Sequence, residues 1–130
     1  MDVFVYGTLT DPDTVSEVVA SYEFVCDARL DGLRRVEGTY PTLAPAPGDS
    51  VTGKLLRTAD IRSLDAYEGV ESGLYVRVGV PFTDHSVAVY VGDPDRLDVA
   101  ESVAWPGDDS FEARVRRYLA ENAVRVHEVA

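Results

Sequence analysis

At 130 residues, 45% of them hydrophobic, the chain is long enough to bury a core as a single domain, 1–130. Its 23 acidic and 12 basic side chains leave a net charge of -11, a surface that repels nucleic acid and anionic membranes, which need a clustered basic face. No apolar run approaches the roughly 18 residues of a membrane-spanning helix.

Met1-Asp2-Val3 lacks the basic, then apolar, start of a secretory leader, so the expected location is the cytoplasm. Lys54 is the sole lysine, so the positive charge is almost wholly arginine. Acidity with little lysine fits a protein kept soluble at high salt; an ordinary acidic protein from a GC-rich genome is the alternative. Cys26 has no partner for a disulfide and no companions for a metal site, and reads as a small core residue. His85 and His127 are too far apart to suggest zinc, and no cofactor is expected.

Asp2-Val3-Phe4-Val5-Tyr6 is a β-rich run broken by Gly7-Thr8-Leu9-Thr10. Asp11-Pro12 starts a helix expected to reach Ser21, with Val15, Val18, Val19 and Tyr22 at helical spacing. Gly7 lets the loop backbone approach a ligand without a Cβ in the way. Phe24–Leu30 is expected as a second strand that Asp31-Gly32 ends. Residues 37–50, with Pro41, Pro45, Pro47, Gly48 and Asp49, carry enough breakers to predict one long loop. Val51–Arg57 is a third strand, and Thr58 is placed to cap a helix over about Ala59–Tyr67 with Ile61 and Leu64 inward.

Leu74, Val76, Val78 and Val80 alternate with Tyr75, Arg77 and Gly79, which predicts a half-buried strand. Pro81–Asp84 turns it into a second alternating run, His85–Val91, as an antiparallel hairpin. After turns at Gly92–Asp95 and Trp105–Asp109, Ser110 caps a last helix to about Asn122 with Phe111, Val115, Tyr118 and Leu119 as its apolar stripe. Trp105 reads as a packing anchor. The sum is an α+β domain on a mixed or antiparallel sheet.

The stretch from Asp65 to Arg77 sets a carboxylate, Glu68, at a helix end before a glycine turn, where a side chain can be held rigidly against a cavity. Most glutamates at such ends are solvated, and Glu71, the nearby competitor, is expected to be exposed.

Further motifs occur in order across residues 2–92. They are Tyr6-Gly7-Thr8-Leu9 after the first strand, Tyr40-Pro41, Val51-Thr52-Gly53-Lys54-Leu55, Leu64–Gly69 followed by Tyr75-Val76-Arg77, and Val87–Val91. This ordered set resembles the γ-glutamylcyclotransferase-like family, in its AIG2-like, γ-glutamylamine cyclotransferase branch. The last 35 or so residues match only loosely.

The resemblance implies a small mixed β-barrel with short helices packed around it. It implies a cavity that takes a γ-glutamyl group and releases it as 5-oxoproline, without a cofactor. It carries the general acid/base role onto Glu68 and the substrate-binding loop onto Tyr6, Gly7, Thr8 and Leu9. Members of this size are often monomers, so a monomer acting on a small γ-glutamyl molecule is expected.

The residue types suit that chemistry. Ring closure needs the α-amine to lose a proton, for which a carboxylate is a natural base, and the leaving amine to regain one. Loop N–H groups supply donors for the substrate's α-carboxylate without a buried lysine. Tyr6 stands as ligand contact or core residue. Tyr40 and Tyr75 stand as cavity walls or plain packing, and Arg77 as carboxylate ligand or partner of Asp65. The alternatives are a non-catalytic γ-glutamyl-binding or interaction domain on the same fold, and hydrolysis of a γ-glutamyl amide. The leaving group stays open.

If the charge of -11 reflects adaptation to salt, screening of self-repulsion should raise the melting temperature steeply between low and molar KCl. A thermal melt that is flat across that range contradicts it.

Overall fold

The computed structural model describes residues 1–129. Its elements are β1 (Asp2–Val5), α1 (Pro12–Val18), β2 (Glu23–Val36), β3 (Thr42–Arg57), α2 (Ile61–Glu68), β4 (Tyr75–Phe82), β5 (His85–Gly92), α3 (Phe111–Glu121) and β6 (Arg125–Glu128), with a 3-10 turn at Thr8–Thr10. The six strands close into a mixed barrel in the order β1-β3-β2-β6-β4-β5. β5 returns to β1 through the parallel pairs Val3–Ala88 and Phe4–Val89. Closure removes both sheet edges, and Phe4, Leu30, Leu43, Leu55 and Val89 fill the core.

The hairpin over residues 75–92 forms as expected, with Thr83-Asp84 as its tip and Phe82 opposite His85. The C-terminal helix is also as expected. Ser110 accepts from the Ala113 N–H at 3.2 Å, and Val115 and Tyr118 turn inward, where Tyr118 meets the edge of buried Trp105. Cys26 packs partly buried against the core.

Elsewhere local signals were overridden. α1 ends at Val18, not Ser21, and Asp11 accepts from the Thr14 hydroxyl rather than from a backbone N–H. Asp31-Gly32 does not end the second strand. β2 runs on to Val36, with a register slip between Asp31 and Leu33.

The loop expected over 37–50 shrinks to five residues, because Thr42–Arg57 is one strand. Pairing passes from Asp31–Ser50 to Leu33–Pro45, so Ala46-Pro47-Gly48-Asp49 bulges out against a single residue of β2. Pro47 is tolerated within this bulge because no ladder N–H is needed there. The helix after β3 is capped by Asp60, whose carboxylate takes the Ser63 N–H at 3.2 Å and the Ser63 hydroxyl at 2.6 Å. Thr58 is buried instead, donating to the Ser21 carbonyl and accepting from the Asp60 N–H. β6 had not been anticipated; it pairs with β2 from Ala28–Glu128 to Asp31–Arg125.

Beyond the bulge, the distal half of the β2–β3 hairpin lies against the end of β5. Thr42 is buried there, its hydroxyl donating to the Gly92 carbonyl at 3.2 Å and accepting the Gly92 N–H at 2.8 Å. The Thr39 N–H bonds the Leu97 carbonyl. These contacts bring Tyr40 and Pro41 over one end of the barrel.

That end depends on how closely β1 crosses β3. A methyl on Gly53 would sit 2.2 Å from the Val5 carbonyl oxygen and 2.8 Å from the Phe4 ring, so β1 would have to move. Gly53→Ala should therefore cost about 2 kcal/mol or more. It would be read as a lower urea midpoint at unchanged slope; a midpoint at the wild-type value contradicts the crowding.

Candidate active site

A cavity of about 230 Å³ lies where β1 and β5 finish and β4 begins. Phe4, Val5 and Tyr6 come from β1 and its end, and Gly7, Thr8 and Leu9 from the 3-10 turn that follows. Tyr40 and Pro41 come from the folded-back hairpin, Tyr67 and Glu68 from the last turn of α2, and Leu74, Tyr75 and Tyr90 from β4, its approach and β5. The volume suits a small molecule or one end of a larger one.

Glu68 is placed by the way α2 stops. Gly69 takes the left-handed conformation at φ 70°, where its N–H bonds the Ala66 carbonyl and the Val70 N–H bonds that of Asp65. Glycine adopts this conformation without a Cβ penalty, so the helix ends cleanly and the last side chain is fixed. Glu68 is half-buried, and no side chain hydrogen-bonds or ion-pairs with it among the described residues. Desolvation alone pushes its pKa from 4.5 up to about 7. Glu71 is exposed and off the cavity wall, as expected.

Three of the surrounding tyrosines have their hydroxyls engaged by protein acceptors. Tyr6 donates to the Tyr90 carbonyl at 2.6 Å, Tyr75 to the Pro41 carbonyl, and Tyr90 to Asp65 Oδ1 at 2.7 Å. Burial pushes the pKa of all three well above the usual phenol value, so they stay protonated. The Gly7 carbonyl is held by the Thr10 N–H at 3.1 Å and the Thr10 hydroxyl at 2.7 Å. The Tyr6 carbonyl accepts from Arg35. The N–H groups of Gly7, Thr8 and Leu9 meet no loop or cap carbonyl among the described residues, so they remain available as donors.

The structure thus gathers Glu68, Tyr6, Gly7, Thr8, Leu9, Tyr40 and Tyr75 around one cavity. Arg77 is not part of it. Its Nε lies 3.0 Å from Asp65 Oδ1, in an ion pair without good hydrogen-bond alignment. Arg77 stands off the cavity wall and pairs with Asp65. Tyr67 and Tyr90 line the cavity without having been singled out. Tyr67 had a local signal in its place beside Glu68. Tyr90 had none, because β5 is buried on both faces from Val87 to Gly92 and alternation marks no inner side there.

The sequence profile of the family described as gamma-glutamyl cyclotransferase, AIG2-like, matches residues 3–107. The chain belongs to this family.

Protein AIG2 A of Arabidopsis thaliana is 30% identical over 114 residues, covering 83% of this chain and 61% of that protein. AIG2-like protein C of the same plant is 32% identical over 136 residues, covering 91% and 77%. The chain thus spans about 61% of the length of Protein AIG2 A and 50% of AIG2-like protein A. A solved gamma-glutamyl cyclotransferase superposes with a TM-score of 0.61 at 18% identity, over 93% of this chain and 98% of the other. An uncharacterized Homo sapiens protein superposes at 0.63 and 19% identity, over 90% and 96%. At those identities the likeness is one of fold. No helix among the described residues is long and apolar enough to cross a membrane.

Within this AIG2-like barrel, the raised Glu68 pKa has a stability consequence. Between pH 4.5 and about 7 the folded state binds more protons at Glu68 than the unfolded state does. This contribution to stability is therefore full at low pH and is lost as pH rises through that window. Glu68→Gln removes the charge, so it should raise the melting temperature at pH 8 by about 5 °C and change it little at pH 4.5. Equal shifts at both pH values would show that burial does not penalise the carboxylate.

Proposed function

We propose that the chain is a γ-glutamyl cyclotransferase, converting a γ-glutamyl amine or γ-glutamyl peptide to 5-oxoproline and the free amine, with Glu68 as general acid/base. The observation that carries this reading is the unpartnered, half-buried Glu68 carboxyl on the wall of the cavity, in a chain of this family.

In the ring closure, the α-ammonium of the glutamyl group gives a proton to the Glu68 carboxylate. The freed amine attacks the γ-carbonyl carbon, a C–N bond forms, and a tetrahedral intermediate results. The bond from that carbon to the leaving nitrogen then breaks as Glu68 returns the proton to it, and the attacking nitrogen, still carrying two protons, passes one by way of Glu68 to the departing amine, which leaves as an ammonium. Atoms and charge balance with no water consumed, which separates cyclisation from hydrolysis to glutamate. A carboxyl with a pKa about 7 suits both roles near neutral pH. Folding the glutamyl chain onto itself is a positioning task, worth on the order of 7–11 kcal/mol in well-oriented intramolecular reactions. The free N–H groups of Gly7, Thr8 and Leu9 suit the α-carboxylate, and the rings of Tyr6 and Tyr75 bound the space in which the chain must curl.

The reading extends to the setting expected from the sequence: a small γ-glutamyl substrate, no cofactor, and a cytoplasmic monomer.

Glu68→Gln keeps shape but cannot take the proton. Turnover of a γ-glutamyl amide, followed as 5-oxoproline by mass spectrometry, should fall roughly 10²–10⁴-fold. Glu71→Gln, exposed and outside the cavity, should stay within about threefold of wild type. Wild-type kcat/KM should decline as pH falls below about 7, as the base becomes protonated. Near-wild-type 5-oxoproline formation by Glu68→Gln, or glutamate as the product, would refute the proposal.

A further inference from the structure

The loop after β1 offers backbone N–H groups to the cavity, and two side chains grip that loop from behind. In a trans peptide the C=O and the N–H point in opposite directions, so fixing the oxygen fixes where the hydrogen points. The peptide bonds of the described residues are all trans. The oxygen of the Tyr6–Gly7 peptide accepts from Arg35 Nη1 at 2.5 Å. The oxygen of the next peptide, Gly7–Thr8, accepts from the Thr10 N–H at 3.1 Å and the Thr10 hydroxyl at 2.7 Å. Gly7 and Thr8 line the cavity, whereas Arg35 and Thr10 do not. Both oxygens are therefore drawn away from the cavity wall, and the N–H groups of Gly7 and Thr8 are turned toward it.

Arg35 is itself held in place. Its Nε bonds Glu37 at 2.7 Å, which leaves the rest of the guanidinium directed at the Tyr6 oxygen. It lies opposite Leu43 on the distal half of the β2–β3 hairpin, so the fold-back that delivers Pro41 delivers Arg35 as well. The two meet the loop together, since a methyl on Gly7 would stand 3.5 Å from Pro41 Cγ. A neutral donor on the Tyr6 oxygen would set direction only. A cation there also polarises the amide, which makes the Gly7 N–H a stronger donor to an anion. Among the described residues Glu68 is the only charged side chain on the cavity wall. Positive charge reaches the cavity through the Tyr6–Gly7 peptide instead.

We propose that Arg35 is a positioning residue: acting through the Tyr6 carbonyl, with Thr10 holding that of Gly7, it aims and strengthens the backbone donors that take the substrate's α-carboxylate. This deepens the proposed function and rests on it.

Arg35→Met removes the donor and the charge and takes the net charge from -11 to -12. With a γ-glutamyl alkylamide as substrate, KM should rise about tenfold and kcat stay within about threefold, because the carboxylate is bound alike in ground and transition states. Thr10→Val keeps the Thr10 N–H bond and should raise KM only about threefold. Arg34→Met makes the same charge change at the neighbouring residue, which bonds the Ser102 carbonyl, and should leave both constants within about threefold. A loop that is merely loosened would weaken every ligand of the cavity. L-5-oxoproline and its uncharged carboxamide, used as competitive inhibitors, separate the two cases. Wild type should favour the acid, and Arg35→Met should lose about tenfold of that preference while its affinity for the carboxamide holds. An unchanged KM in Arg35→Met, an equal loss for acid and carboxamide, or no inhibition by either overturns this inference and leaves cyclisation intact. Absence of 5-oxoproline from the wild-type reaction refutes the cyclotransferase reading, and the inference falls with it.

Discussion

Keeping a carboxyl half out of water, with neither a counter-charge nor a hydrogen-bond donor beside it, disfavours its ionised form, and the fold has to hold it there against that tendency. The arrangement around Glu68 removes the usual reliefs one by one. Tyr6, Tyr75 and Tyr90 all border the cavity and could each stabilise a carboxylate. Their hydroxyls are instead committed to the Tyr90 carbonyl, the Pro41 carbonyl and Asp65. Arg77, the cation borne on β4, is taken by Asp65. Asp65 precedes Glu68 by three residues on α2, so it intercepts both a phenol and a guanidinium on the same side of the helix. The tyrosine network is thus one that leaves Glu68 alone, and its raised pKa is the consequence.

That isolation depends on long-range packing as much as on α2. The Pro41 carbonyl that occupies Tyr75 is delivered by the folded-back β2–β3 hairpin, which the Thr42–Gly92 hydrogen bonds fasten to β5. The fold-back follows the bulge at residues 46–49, where four residues of β3 face one of β2. On the other side, β1 reaches the Tyr6–Leu9 loop by passing close over Gly53, where no side chain would fit. Barrel closure and cavity wall are therefore the same set of contacts. A change in the hairpin acts on the site without touching a residue at its centre.

Much of this was legible from residue order, for reasons that are local. Asp2–Val5 as a strand, the glycine turn after it, the hairpin tipped at Thr83-Asp84 and the Ser110 cap all rest on signals within a few residues of one another. So does the placing of Glu68, since Gly69 directly after it is what a left-handed helix end requires. The misreadings share an opposite cause. Pro45, Pro47 and Gly48 look like loop because each breaks a regular ladder, yet a strand 16 residues long can absorb them as a bulge when a partner of 14 residues holds both flanks. β6 is four residues long and exists because β2 and β4 have exposed ladders to fill, which its own sequence does not announce. Arg77 was open between two partners, and Asp65 won because both lie outside the cavity where the pair stays partly hydrated.

The acidity of the chain first looks unfavourable to a substrate bearing a carboxylate, but a γ-glutamyl head also bears an ammonium and is neutral overall. The field of a molecule at net -11 therefore acts mainly on what is attached to that head. Inside the cavity the same logic runs at short range. In the proposed ring closure, an ionised Glu68 would attract the ammonium, and proton transfer between them would turn two opposite charges into two neutral groups, a change that a poorly hydrated site favours. In that proposed step, raising the acceptor from 4.5 to about 7 would lessen the uphill part of the transfer. The gain comes from withholding partners from Glu68 rather than from adding a catalytic group. It would be lost if any of the three buried phenols turned its hydroxyl toward the carboxylate, because a donor there would pull the pKa back down. In the ring closure proposed for this barrel, what the surrounding tyrosines must do is keep their hydroxyls pointed elsewhere.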